Sequence, residues 1–154
     1  MTGAKEIVYD FMQALEAKEF TKAAGYLADS MIMSGFTPAP LTKNHFMFVM
    51  SGLAEGFPNL AYNFHADEES AETTEGSQVR GTVQLTGSQV NSFQLPPLGI
   101  GPIPQLARSI SLPEEYWEYR VKNNLIASVR VDRKPGGGIE GLLNQLGIHD
   151  PIVQ

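Results

Sequence analysis

The chain has 154 residues, enough for one domain with a real core and too few for two ordinary ones, so a single domain over residues 1–154 is expected. Eleven Lys and Arg against 17 Asp and Glu leave a net charge of −6, which repels phosphate backbones and anionic lipid and argues against nucleic acid or a membrane as partner. Cysteine is absent, which excludes disulfides, thiolate metal sites and thiol nucleophiles. The charged N-terminus, MTGAKEIVYD, lacks a signal-peptide apolar run, so the expected location is cytoplasmic.

Ile7, Phe11, Ala14 and Leu15 recur at helical spacing while Glu6, Asp10, Gln13 and Glu16 face away, which predicts an amphipathic helix from Ala4 to Lys18. A second, short helix is expected from Thr21 as N-cap to about Ala28, burying Ala24 and Leu27. Met31 to Phe36 reads as a strand ended by Pro38 and Pro40. A third helix follows Thr42 as N-cap, with Phe46, Val49, Met50 and Leu53 as its buried stripe and Gly56-Phe57-Pro58 as its stop.

The period then falls to two. Leu60, Tyr62, Phe64 and Ala66 alternate with Ala61, Asn63, His65 and Asp67. After a polar turn near Glu75-Gly76, Val79, Gly81, Val83 and Leu85 alternate with Arg80, Thr82, Gln84 and Thr86. Two antiparallel strands are predicted. The segment Leu95–Gln105 holds four of the ten prolines and cannot join a sheet interior; Leu98, Ile100 and Ile103 are expected to form a mobile rim over a pocket entrance.

From Glu115 to Asp132, Val, Ile, Tyr and Trp dominate two runs joined by Asn123-Asn124, a pair that tolerates the positive φ of a two-residue hairpin turn. Regular alternation pairs Val121 with Ile126, Tyr119 with Ser128, Trp117 with Arg130 and Glu115 with Asp132, all on one face. That face suits a small-molecule pocket. Arg130, if buried there, must meet a carboxylate or an anionic ligand. The opposite face would carry Tyr116, Val129 and Val131, apolar area that suggests a homodimer contact. Ile139, Leu142, Leu143 and Leu146 then mark a last short helix closed by Gly147. Helices, a run of strands and one more helix argue for an α+β fold with helices packed on a curved antiparallel sheet.

Gly136-x-Gly138-x-x-Gly141 has the letters of a dinucleotide fingerprint, but no βαβ unit surrounds it and the chain ends before the acidic residue such a site needs. His65 and Asp67 share a predicted strand face and are candidates for a base and its partner, or for an ordinary half-exposed polar face. His45 suits a helix first turn, and His149 an exposed position near the C-terminus. No His or acid spacing resembles a metal site.

Phe57-Pro58-Asn59-Leu60, Thr86-Gly87-Ser88-Gln89, Pro96-Pro97-Leu98-Gly99-Ile100, Arg120-Val121-Lys122-Asn123-Asn124-Leu125-Ile126 and Gly141-Leu142-Leu143-Asn144-Gln145-Leu146-Gly147, in this order of elements, resemble the SnoaL-like polyketide cyclases of the nuclear transport factor 2-like, or cystatin-like, superfamily. The resemblance covers nearly the whole chain. It implies a cone-shaped α+β domain, usually dimeric, with an apolar pocket, and in catalytic members a ring closure without metal or cofactor. Gln89 and Ser34 stand where the family pattern often has His, Ser128 and Arg130 where it has Glu and Trp, and Gly138 where it has Asp. Gln and Ser donate hydrogen bonds but are not bases near neutral pH. Two functions are expected on this footing. One is a cofactor-independent cyclase or isomerase of a small carbonyl compound, with Asp132 as catalytic base. The other is a non-catalytic binding protein for a small apolar or acidic molecule. Ser34, Gln89, Trp117, Tyr119, Ser128 and Arg130 are the candidate ligand-binding residues. A filled pocket would favour a third role, the open sheet face as an interaction platform.

Overall fold

The computed structural model describes residues 3–70, 74 and 76–148, so the expectations for His149 and for Glu75 in the β-turn lie outside the described residues. Helix α1 spans Ala4–Glu16 and buries Ile7, Val8, Phe11, Met12, Ala14 and Leu15, the stripe its periodicity marks. Helix α2 is shorter than expected, Phe20–Ala24, because Gly25 caps it; Leu27 opens strand β1, Leu27–Ser34, and Ala23 rather than Ala24 is buried. After the two-residue β2, Leu41–Thr42, the Thr42 hydroxyl accepts from His45 N at 3.3 Å and starts α3, Lys43–Gly56, as its position predicts.

Strands β3 (His65–Glu69), β4 (Ser77–Val83), β9 (Glu115–Lys122) and β10 (Leu125–Asp132) join β1 and β2 in a six-stranded sheet of order β2-β1-β10-β9-β4-β3. Its pairs are antiparallel except β1 with β10. Between β4 and β9 lie two small ribbons. One pairs β5 (Thr86–Ser88) with β8 (Ser109–Ser111); the other pairs β6 (Phe93–Leu95) with β7 (Ile100–Ile103) across a 3-10 turn at Pro96–Leu98. Helix α4, Gly138–Gln145, closes the described chain. No described helix is long and apolar enough to cross a membrane.

One face of the sheet is dry. Val79, Val83, Trp117, Tyr119, Val121, Ile126, Val129, Val131, Met31 and Met33 are buried there and belong to one core cluster with α1, with Phe46, Val49, Met50 and Leu53 of α3, and with Ile139, Leu142 and Leu143 of α4. The proline-rich segment packs against α3 instead of standing free as a rim. Leu95 and Leu98 are fully buried, and β6 and the 3-10 turn lie along α3, so closely that a Cβ at Gly52 would meet Gln94 O at 2.6 Å. Leu60–Phe64 likewise stays outside the strands, although Tyr62 is buried and Asn63 exposed as alternation requires.

The hairpin holds the decisive difference. Asn123 and Asn124 adopt φ of 53° and 64°, the turn expected of them, and Val121 pairs with Ile126. A bulge between Ile126 and Ser128 then adds one residue to β10, so that Val129 pairs with Tyr119, Arg130 with Glu118, Val131 with Trp117 and Asp132 with Tyr116. The cause is energetic. Without the bulge, two valines would face water and two charges the core; burying each valine is worth about 1.5–3 kcal/mol, and an unpaired buried charge costs several kcal/mol.

Candidate functional site

The bulge moves most of the expected site to the outer face of the sheet. Arg130, Asp132 and Ser128 are corrected there, and Ser34 goes with them because it registers with Arg130 across the parallel β1–β10 pair. On that face Arg130 bonds the Glu118 carboxylate, while Arg80 lies 3.9 Å from Glu118 Oε1, 3.7 Å from Asp132 Oδ2 and 3.9 Å above the Tyr116 ring. The hydrogen bond that Arg130 donates to Glu118, with the charges of Glu118 and Asp132, raises the proton affinity of Arg130. Asp132 is therefore a half-exposed, ion-paired carboxylate rather than a desolvated base. His65 registers with Thr82 and is exposed; a bulge between Ala66 and Glu68 breaks the alternation that would have aligned it with Asp67, also exposed.

Gln89 is buried, but its side chain is spent on structure: Nε2 donates to Pro104 O (2.9 Å) and Asn91 O (3.2 Å), and Oε1 accepts from Leu106 N (3.0 Å). It ties down the ribbon segment. Of the expected ligand contacts on the hairpin only Trp117 and Tyr119 face the interior, where aromatic rings run from Tyr9 through Phe64, Tyr119 and Trp117 to Phe36 with centroid separations of 5.1, 5.7, 6.3 and 6.1 Å.

The outer end of that series lines a cleft of about 310 Å³ between α1 and the segment before β3, formed by Tyr9, Met12, Gln13, Glu16, Ala61, Tyr62, Asn63 and Phe64. Asn63 shapes it by taking φ of 48°, with its side-chain amide bonded to Gln84 O (2.8 Å) and Thr86 Oγ1 (3.2 Å). Glu16 Oε1 accepts from Tyr62 N at 2.8 Å and fixes the opposite wall. Two buried phenols adjoin the cleft: Tyr62 is part of its lining, and Tyr119 lies one layer in, against the lining residues Met12 and Phe64. Tyr119 donates to Met12 Sδ at 3.3 Å and Tyr62 to Met50 Sδ at 3.5 Å. A thioether is a weak acceptor, so each hydroxyl retains donor capacity that a better acceptor would take up. Burial raises the proton affinity of both phenols; the Glu16 charge adds to the effect at Tyr62, and Tyr62 adds to it at Tyr119. They remain neutral donors over the physiological range.

Sequence reasoning missed this cleft because Met12 and Glu16 read as parts of an ordinary amphipathic helix. The available signal was the i, i+4 spacing of Met12 and Glu16 at the edge of the buried stripe.

The glycine-rich start of α4 opens a cleft of about 390 Å³ with Arg133 and Lys134 at its edge. The helix N-terminus is already taken. Glu115, 4% exposed, accepts from Lys134 N at 2.7 Å and Gly138 N at 3.4 Å, so a phosphate there would meet a carboxylate.

No family model matches the sequence, and no curated protein matches it either. Solved structures do. AclR from Streptomyces galilaeus superposes with a TM-score of 0.66 at 13% identity over 93% of this chain and 94% of its own. A SnoaL-like polyketide cyclase from Agrobacterium tumefaciens gives 0.61 at 15% identity over 93% and 99%. The chain has the SnoaL-like fold. The nuclear transport factor 2-like architecture extends to an epoxide hydrolase of M. tuberculosis, with a TM-score of 0.53 at 13% identity over 92% of this chain and 90% of that one. Different activities thus share the scaffold, and at these identities the likeness speaks for fold alone.

Proposed function

We propose that this SnoaL-like chain binds a small, neutral, apolar molecule bearing a hydrogen-bond acceptor, taken into the cleft between α1 and residues 61–64. The observation that carries the reading is the pair of buried phenols, Tyr62 and Tyr119, whose hydroxyls meet only thioether sulfur in the hydrogen bonds they donate. The cleft is lined by Tyr9, Met12, Ala61, Tyr62 and Phe64 together with the polar Gln13, Asn63 and Glu16, with no Lys or Arg among the described lining residues, so an anionic ligand is disfavoured and the acidic ligand expected of Arg130 loses its cation.

Trp117 is the single tryptophan and its ring lies tilted 6.3 Å from that of Tyr119, so its fluorescence reports on the site. A naphthyl methyl ketone should quench it saturably, and the matching naphthoate should not. Tyr119→Phe or Tyr62→Phe should weaken the ketone by about 1 kcal/mol, roughly fivefold. Equal binding of ketone and naphthoate, or no saturable quenching, refutes the proposal.

A catalytic reading is favoured by one observation: among the described residues, Glu16 is the single carboxylate lining the cleft. A ketone held by the phenols would present its α-C–H to that base, with the enolate oxygen stabilised by the two hydroxyls. Exchange of the ketone α-hydrogens for deuterium, abolished in Glu16→Gln, would establish an isomerase or cyclase type of chemistry. Absence of exchange leaves a binding protein.

A further inference from the structure

The chain contains six methionines, and those described differ sharply in setting. Met31, Met33 and Met50 are fully enclosed, while Met47 is partly exposed on α3. Met12, only 3% exposed, combines two properties: that remaining surface lines the open cleft, and its Sδ lies 3.3 Å from a hydroxyl donor, Tyr119. Met50 also has a phenol donor, Tyr62, but does not line the cleft.

We propose that Met12 is a site of reversible oxidation by hydrogen peroxide, and that its sulfoxide shuts the cleft; the second half rests on the cleft being the binding site. In the reaction the Met12 sulfur attacks one peroxide oxygen, an S–O bond forms and the O–O bond breaks. The departing oxygen leaves as water after taking up the peroxide proton. Sulfur is oxidised by two electrons and the peroxide is reduced by two. A sulfoxide oxygen is a strong acceptor, and the Tyr119 hydroxyl is placed to turn from the sulfur to it. That bond would supply the partner a buried polar oxygen needs. At Met31 or Met33, at 0% exposure inside the core, the same oxygen could enter only if the core opened. With Met12 oxidised, the cleft loses an apolar wall and Tyr119 is no longer available to a ligand acceptor.

Graded hydrogen peroxide, peptide mapping by mass spectrometry and Trp117 quenching by the naphthyl methyl ketone test this on the intact chain. Met12 should gain one oxygen ahead of Met31, Met33 and Met50 while the melting curve stays cooperative. Ketone affinity should fall at least about tenfold in step with Met12 oxidation and return on treatment with methionine sulfoxide reductase. Met47→Leu should not protect binding. In Met12→Leu, whatever its starting affinity, peroxide should cause no further loss. In Tyr119→Phe, Met12 oxidation should lower the melting temperature more than in the wild type.

Oxidation of Met12 no sooner than Met31 and Met33, or only with loss of the fold, overturns the modification site. Ketone binding that survives complete Met12 oxidation overturns the gate. If the untreated protein does not bind the ketone at all, the proposed function and the gate fall together, while the order of oxidation still decides the modification site.

Discussion

Raising the pH tests the dry setting of the two phenols directly. Tyr62 and Tyr119 both have proton affinities raised above the ordinary value of 10.0, chiefly by burial. Above that value the unfolded chain releases both protons while the native state retains them, so the native state binds more protons and stability falls as pH rises. Below about pH 9 neither phenol contributes any pH dependence. One unit above the unfolded value each costs about 1.4 kcal/mol, and the pair about 2.8 kcal/mol. Against a typical domain stability of about 5–15 kcal/mol this is a large fraction. Urea unfolding between about pH 9 and pH 11 should therefore show a steep decline in the wild type. Tyr119→Phe should remove about half of the phenol contribution, and the Tyr62→Phe, Tyr119→Phe double variant nearly all of it. Parallel declines in all three proteins would mean that the phenols ionise within the native state, and the buried donor pair would have to be abandoned.

Glu115→Ala strips the acceptor from Lys134 N and Gly138 N and should cost about 2–4 kcal/mol in urea unfolding; a loss within experimental error would show that α4 is not anchored there. Gln89→Ala should speed hydrogen exchange in the 93–106 segment and leave β9 and β10 protected, since its side-chain bonds reach only Asn91, Pro104 and Leu106. Uniform protection in both proteins would refute that role. Arg130→Ala and Asp132→Asn, both on the outer face, should leave ketone affinity unchanged, and a loss greater than about threefold by Trp117 quenching would place them back in the site.

Much of the architecture was legible because it rests on short-range chemistry. Thr42 caps α3, Asn123-Asn124 turns the hairpin, and the stripes of α1, α3 and α4 bury the residues their spacing marks. The site was not legible on those terms, since its placement depends on one inserted residue. Even there the sequence held a signal. Ile126 belongs to the even-numbered apolar phase of β10 and Val129 and Val131 to the odd, a change of parity that only a bulge reconciles with one buried face. Reading the strand as regular put Arg130 and Asp132 beside Trp117 and Tyr119. The proline-rich segment went astray for another reason. Proline bars a residue from donating within a sheet, but it does not prevent a two-stranded ribbon and its 3-10 turn from laying Leu95 and Leu98 against a helix.

The same inserted residue also separates two chemistries. With Arg80, Glu118, Arg130 and Asp132 paired on the outer face, the strand pair keeps its charges where water and mutual attraction satisfy them. What remains on the inner face of β9 beside α1 offers no cation: rings, thioethers and the Tyr119 hydroxyl, with the two nearby carboxylates already engaged by backbone N–H groups, Glu16 by Tyr62 and Glu115 by Lys134 and Gly138. A guanidinium there would favour carboxylates, and an unpaired carboxylate would favour cations or proton abstraction. Phenols held in apolar surroundings discriminate differently. They favour an uncharged acceptor over water because the competing solvent is excluded, and they disfavour an anion because no cation stands by to offset its desolvation. The side chains that the bulge sends outward are thus as informative about the ligand as those it leaves inside.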